Sequence, residues 1–179
     1  DFSMLRRAKA WCEKNVKGLY LLANSGCMND CPGRIFHDNL VAHEDEIART
    51  DNAYTYKALC REYLYNTEKQ ASVVRDMNYI RPEDICYYED FVTSVKLATR
   101  VSADPLRILD AYLNAHYAGA VTDLLEPDNG SALLPRMIVN SRFPKDFALH
   151  VGTCDKQCHA CGYCASVFEH AAVSPDFTD

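Results

Sequence analysis

Apolar residues recur at helical spacing over residues 3–16, where Leu5, Ala8, Trp11 and Cys12 share a face opposite Arg6, Arg7, Lys9, Glu13 and Lys14. After Lys17 and Gly18 the pattern changes. Residues 19–24, LYLLAN, form an apolar run without alternation, as expected of a strand covered on both faces in a parallel sheet. A loop over 25–34 leaves its end, and residues 35–50 read as polar and partly helical. A helix is expected over 54–64, with Cys60 among Tyr56, Leu59 and Tyr63. Residues 77–80 predict a second strand, stopped at Arg81 because Pro82 disfavours helix in the residue before it. Pro82, Glu83 and Asp84 then suit the first turn of a short helix. Residues 94–100 predict a third strand, in which Lys96 is costly to bury unless paired. Ser102 or Asp104 can cap a helix over 105–117 that presents Leu106, Leu109, Tyr112 and Leu113, and a short helix follows at 121–125. A turn cluster at 127–131 and an irregular stretch at 133–151 lead to a final helix at 163–172.

This order is a run of parallel βα units, hence an α/β fold. It offers about three strands where a closed barrel needs about eight, so either the sheet is small or the first part of a barrel is missing. The division expected is a partial barrel over 1–130 and an irregular, cysteine-rich tail over 131–179. At 179 residues the chain is long enough to bury a core. It starts at Asp1 instead of a methionine, which suggests a piece of something longer. A net charge of −6 argues against broad phosphate-backbone binding, though a local basic groove for RNA stays open. No segment has the apolar length of a membrane span, and nothing resembles a signal peptide. Nine cysteines without a secretory signal then point to reduced thiols in the cytoplasm, and so to metal or redox chemistry.

The densest chemistry lies in the tail, where Cys154, Cys158, Cys161 and Cys164 follow the spacing C-x3-C-x2-C-x2-C. Thiolates are soft ligands, and four together select zinc or an iron–sulfur cluster over hard cations. Bacterial ferredoxins use much the same spacing in reverse. A second group is Cys27 and Cys31, in the loop leaving the first strand beside Gly26 and Gly33, with Cys60 further on. A thiol from the tail would complete a four-thiolate site there, so that the seven are arranged as three plus four with one shared. Cys60 as plain helix packing is the competing reading. Cys12 and Cys86 read as packing, since free cysteine behaves as a small hydrophobe. The run from His43 through Glu44, Asp45 and Glu46 reads as a solvated face.

Asn24, Cys27, Cys31, Pro32, Arg34, His37 and Asn39 follow the spacing N-x-x-C-x3-C-P-x-R-x-x-H-x-N. This stretch resembles a segment of the peptidase U32, or collagenase-like, family. Residues 79–84, YIRPED, resemble that family's W-IRPED strand end, and residues 95–100, VKLATR, its F-K-I-x-x-R strand. The three occur in the family's order, and the resemblance covers roughly residues 19–172.

The resemblance implies a TIM-barrel-like fold whose amino-terminal strands come from a missing N-terminal half or a partner chain. It also implies a 4Fe-4S cluster at the barrel mouth, with one cluster or two in this chain and zinc as the alternative. Members of the family take part in oxygen-independent hydroxylation of RNA bases or of small aromatic quinone precursors. Those members space their cluster cysteines differently, and the tail cysteines mark a separate branch. On this basis Cys27, Cys31 and Cys60 hold the barrel cluster. Arg34, His37 and Arg100 form the catalytic set, with His37 as a general acid or base. Asn24, Asn39, Arg81 and Lys96 face substrate. Arg81, Lys96 and Arg100 converge on a carboxylate or phosphate, or else pair with local acids such as Glu83 and Asp84.

Three functions compete: an iron–sulfur enzyme acting on RNA or a small aromatic molecule, a non-catalytic metal-bearing interaction or electron-transfer module, and a peptidase. The peptidase has no H-E-x-x-H or G-x-S-x-G motif behind it. Cys154, Cys158 and Cys161 match the radical-SAM triad spacing, but that triad sits early in its barrel, after the first strand.

Overall fold

The computed structural model describes residues 1–43, 46 and 59–174. It is a mixed helix-and-strand fold with one small parallel sheet. Helix α1, Phe2–Lys14, is capped by the Asp1 carboxylate, which accepts from the Ser3 and Met4 amides at 2.7 and 3.3 Å. It is anchored at its first residue. Phe2 is buried against Phe91 and Tyr88, with ring centroids 5.4 and 5.3 Å away, while Trp11 stays 61% exposed.

Strand β1, Tyr20–Leu22, pairs in parallel with β4, Ser94–Lys96. Next comes β2, Asn24–Met28, which pairs antiparallel with β3, Met77–Tyr79. The clip between these pairs is Asn24. Its side chain donates to the Ala98 and Leu124 carbonyls at 2.6 and 2.9 Å and accepts from the Ala98 amide at 2.7 Å. A fully buried amide with every contact made to backbone holds three chain segments in register.

The helices between are α2, Arg34–Ala42; α3, Leu59–Leu64; α4, Ser72–Arg75; and α5, Pro105–Leu113. A 3-10 turn at Pro82–Tyr87 follows β3, and another spans Val121–Leu124. The last part of the chain holds β5, Met137–Ile138; α6, Phe147–Gly152; α7, Cys158–Cys161; α8, Tyr163–Ala171; and β6, Ala172–Val173. β5 and β6 pair antiparallel and lay α8 on the main core. That core joins Leu64, Val73 and Val121 to Ile138, Phe147 and Phe168.

A buried ion pair ties the two ends of this core together. Arg81 donates to both Asp84 oxygens at 2.7 and 2.8 Å and to the Asn140 carbonyl at 3.1 Å, and its guanidinium lies over the Phe143 ring at 4.7 Å. Beside it, Glu83 accepts from the Asn140 side chain and the Tyr117 amide, each at 2.8 Å.

Several expectations change. Among the described residues the strands form two-stranded pairs and no barrel. The strand expected at 77–80 exists but runs antiparallel to its neighbour, because the chain after Ala23 continues as a strand where a loop was expected. β1 is not covered on both faces: Tyr20 is 64% and Leu22 41% exposed. Lys96 is solvent-exposed, so it carries no burial cost. On α5 the buried stripe is Ile108 and Ala111 with half-buried Tyr112, while Leu106 and Leu113 are 70% and 79% exposed. Both stripes obey helical spacing; the Tyr112 hydroxyl selects one by donating to the Ile80 carbonyl at 2.7 Å. Cys86 is exposed and reaches the Glu83 carbonyl at 3.8 Å in place of packing. The irregular stretch contains β5 and α6. Of the helix expected at 54–64, residues 54–58 lie outside the described residues, as do Glu44 and Asp45. No described helix is long and apolar enough to cross a membrane.

Asp84→Ala would leave the Arg81 guanidinium buried without its counter-ion, at a cost of about 3–5 kcal/mol. Asp38→Ala, which removes the exposed Arg34–Asp38 pair, should cost less than about 1 kcal/mol. Urea denaturation of the two variants checks the contrast.

Candidate metal centre

The middle thiols are set by β2 and the loop after it. Gly26 packs so closely on the 126–130 segment that a Cβ there would stand 2.0 Å from the Pro127 carbonyl oxygen. Its carbonyl accepts from the Asn129 side chain at 2.9 Å, and the Asn129 oxygen in turn lies 3.7 Å from the Cys60 sulfur, as acceptor. One buried asparagine therefore joins α3 to the strand that carries Cys27. Burial pushes the Cys60 thiol up, and the neighbouring Cys27 and Cys31 push it the same way. All three thiols are half-buried.

The tail thiols gather separately. Cys154, Cys158, Cys161 and Cys164 line one pocket together with Arg75, His150 and Tyr163. The chain turns through Lys156 and Gly162, with φ of 61° and 66°; the space beside Gly162 is open, so its glycine answers the backbone angle and not crowding. The Lys156 amide donates to the Cys154 sulfur, 3.2 Å away. Burial pushes the Cys164 thiol up to about 11, helped by the adjacent Cys154, Cys158 and Cys161.

Arg75 is the cation at this pocket. Its guanidinium is held by Asp76 at 2.7 Å and by the Ser72 hydroxyl at 3.2 Å, and Asp76 holds it firmly protonated. Among the described residues no three His, Cys, Asp or Glu side chains stand close enough together to hold a single metal ion. A zinc ion with Zn–S bonds near 2.3 Å needs its sulfurs about 3.8 Å apart. A cubane puts each thiolate on a different iron and spreads them wider.

The residues expected to surround substrate are dispersed. Asn24 is spent on the backbone clip, and Arg81 on the buried pair with Asp84. Asn39 sits on exposed α2 and donates to the Ile35 carbonyl at 2.8 Å. Arg34 pairs with Asp38 at 3.7 Å on the same helix, where His37 is half-buried. Lys96 and Arg100 are exposed. The expected convergence of Arg81 with Lys96 and Arg100 is not what the fold builds, because Arg81 is turned inward. The four tail thiols line one pocket together, and Cys27 and Cys31 neighbour Cys60. Two residues were missed, Arg75 and Asn129. Arg75 follows no motif, and Asn129 lay in a segment read only as a turn.

No family model matches the chain, and no solved structure matches it. The chain is similar to an uncharacterized protease of Methanocaldococcus jannaschii, at 29% identity over 167 residues. The match takes in 86% of this chain and 45% of that protein, so the chain spans less than half of its relative's length. A relative bearing a protease name is consistent with the protease-family relation expected from the motifs.

In the metal-free, reduced protein iodoacetamide should label exposed Cys158 and Cys161 well before Cys164. A raised pKa leaves less thiolate at any given pH, so Cys164 labelling should rise only as pH approaches about 11. Peptide mass spectrometry across a pH series reads both.

Proposed function

We propose that this chain is part of an iron–sulfur protein of the peptidase U32 group, taking part in oxygen-independent hydroxylation or a related modification of RNA or a small aromatic substrate. The observation that carries the reading is the gathering of Cys154, Cys158, Cys161 and Cys164 around one pocket, beside a fixed guanidinium. The donor set fits the group: all-sulfur, partly desolvated, with a backbone N–H already aimed at one sulfur. Cys27, Cys31 and Cys60 supply a second all-sulfur set.

When bound, such a cluster supplies one-electron transfer at a potential set by its charge and hydrogen-bond surroundings. The chain's own part is to hold the sulfurs. The strands that would close a barrel around β1 and β4 would come from elsewhere in a longer protein or from a partner chain.

A second reading, peptidase, is favoured by the name of the Methanocaldococcus jannaschii relative. Its chemistry needs an activated nucleophile with a base in reach. Cys60 and Cys164 neighbour other thiols instead, and burial pushes both toward the protonated form.

Anaerobic purification should yield a brown protein holding acid-labile sulfide and about four irons per filled thiol set. Colour should bleach on reduction and be lost in air. A colourless protein with stoichiometric zinc would sink the iron–sulfur reading. Hydrolysis of gelatin that survives Cys27→Ser with Cys31→Ser, at the wild-type rate, would favour a peptidase whose nucleophile lies elsewhere.

A further inference from the structure

The tail carries the spacing C-x2-C twice in succession, from Cys158 to Cys161 and from Cys161 to Cys164. The fold treats the two differently. Cys158 and Cys161 begin and end α7, a single turn closed by the Gln157 carbonyl, which accepts from the Ala160 and Cys161 amides at 3.0 and 3.1 Å. Gly162, with φ of 66°, then breaks the helix, and Cys164 lies on α8 beyond it. Three residues along one helical turn bring two Cα atoms to about 5 Å. That falls inside the roughly 4.4–6.8 Å that a disulfide spans, and side chains at this spacing share a face. Both residues line the tail pocket and both are exposed, whereas Cys154 and Cys164 are half-buried. The Cys154 sulfur accepts from the Lys156 amide, and Cys164 packs against the main core. Cys86, also exposed, sits on a different element, the Pro82–Tyr87 turn.

We propose that Cys158 and Cys161 are a redox-active dithiol, which closes to a disulfide by exchange with a small-molecule disulfide of the glutathione type and reopens by the reverse reaction. The proposal does not rest on the iron–sulfur reading. It concerns these two thiols when no metal holds them; a bound metal would take both out of reach. One cysteine, as thiolate, attacks the small disulfide and forms a mixed disulfide. The small thiolate expelled takes up the proton that the attacking cysteine released. The other cysteine, as thiolate, then attacks the protein sulfur of the mixed bond. The Cys158–Cys161 bond forms, the second small thiolate leaves with the second proton, and two electrons have passed to the oxidant. Placement on one turn makes this second step intramolecular, so the mixed disulfide does not accumulate.

The test uses the full chain, freed of metal with a chelator, reduced, and then equilibrated against mixtures of reduced and oxidised glutathione. Iodoacetamide traps the remaining thiols for peptide mass spectrometry. The expected product has one linkage, Cys158 to Cys161, with Cys154 and Cys164 alkylated in the same molecules. Cys154→Ser with Cys164→Ser should leave the equilibrium constant of that linkage unchanged. Cys161→Ser should stop at a mixed disulfide of glutathione with Cys158. In concentrated urea, where the turn is lost, the wild-type constant should fall several-fold. The iron content of the purified protein tests the iron–sulfur reading separately, and neither result there alters this one.

A dominant Cys161–Cys164 or Cys154–Cys164 linkage would overturn the proposal, as would a mixed disulfide that persists in wild type. An equal constant in buffer and in urea overturns it too, because the pairing would then owe nothing to the fold. The wild-type linkage map needs no substitution, so it decides the matter even where a variant fails to fold.

Discussion

The buried pair of Arg81 and Asp84 is the constraint on which the rest of the molecule depends. Arg81 begins at the end of β3, takes both oxygens of Asp84, and reaches the Asn140 carbonyl between the rings of Phe143 and Phe147. A guanidinium with 4% of its side chain exposed has no water to fall back on, so its partners must stay where they are. Asn140 then receives a second hold through Glu83, which also caps the Tyr117 amide. The segment Arg81-Pro82-Glu83-Asp84 therefore joins the strand half of the chain to the half that carries α8 and the tail thiols. Its charged residues read as ligands in the sequence and serve as a junction in the fold.

Around this junction the two thiol sets are positioned by different means. The middle set depends on close backbone approach: Gly26 against Pro127, with Asn129 spanning the gap to Cys60. The tail set depends on local turns, with left-handed residues at Lys156 and Gly162 folding four cysteines around a pocket that α4 closes from the other side. Electrostatics follow from that difference. Burial and like neighbours raise both Cys60 and Cys164, so the thiols resist ionisation until something positive arrives to share their charge. Arg75 is the positive group already in place at the tail.

Much of the element order could be read from residue patterns. Helix α1, the caps of α5 at Asp104 and Pro105, the Pro82 turn and helix α8 all follow from local signals that act within a few residues. The pairing of strands did not follow. An apolar run such as residues 19–24 looks alike whether it is covered on both faces or exposed at Tyr20 and Leu22. On α5 two stripes share Tyr112, and only a bond to a carbonyl far away in sequence chose between them.

By itself the sequence determined that four sulfurs crowd the tail with Cys27 and Cys31 close together earlier, that the Pro82 turn ends a strand, and that a final helix follows the tail thiols. These are matters of spacing and of dihedral restriction, which a chain carries before it folds. Tertiary structure alone decided that Asn24 and Arg81 are consumed inside the fold, and that the tail thiols line one pocket with Arg75 beside them. The reason is burial: whether a polar group is free for chemistry depends on which partners the fold brings to it, and those partners come from segments tens of residues distant.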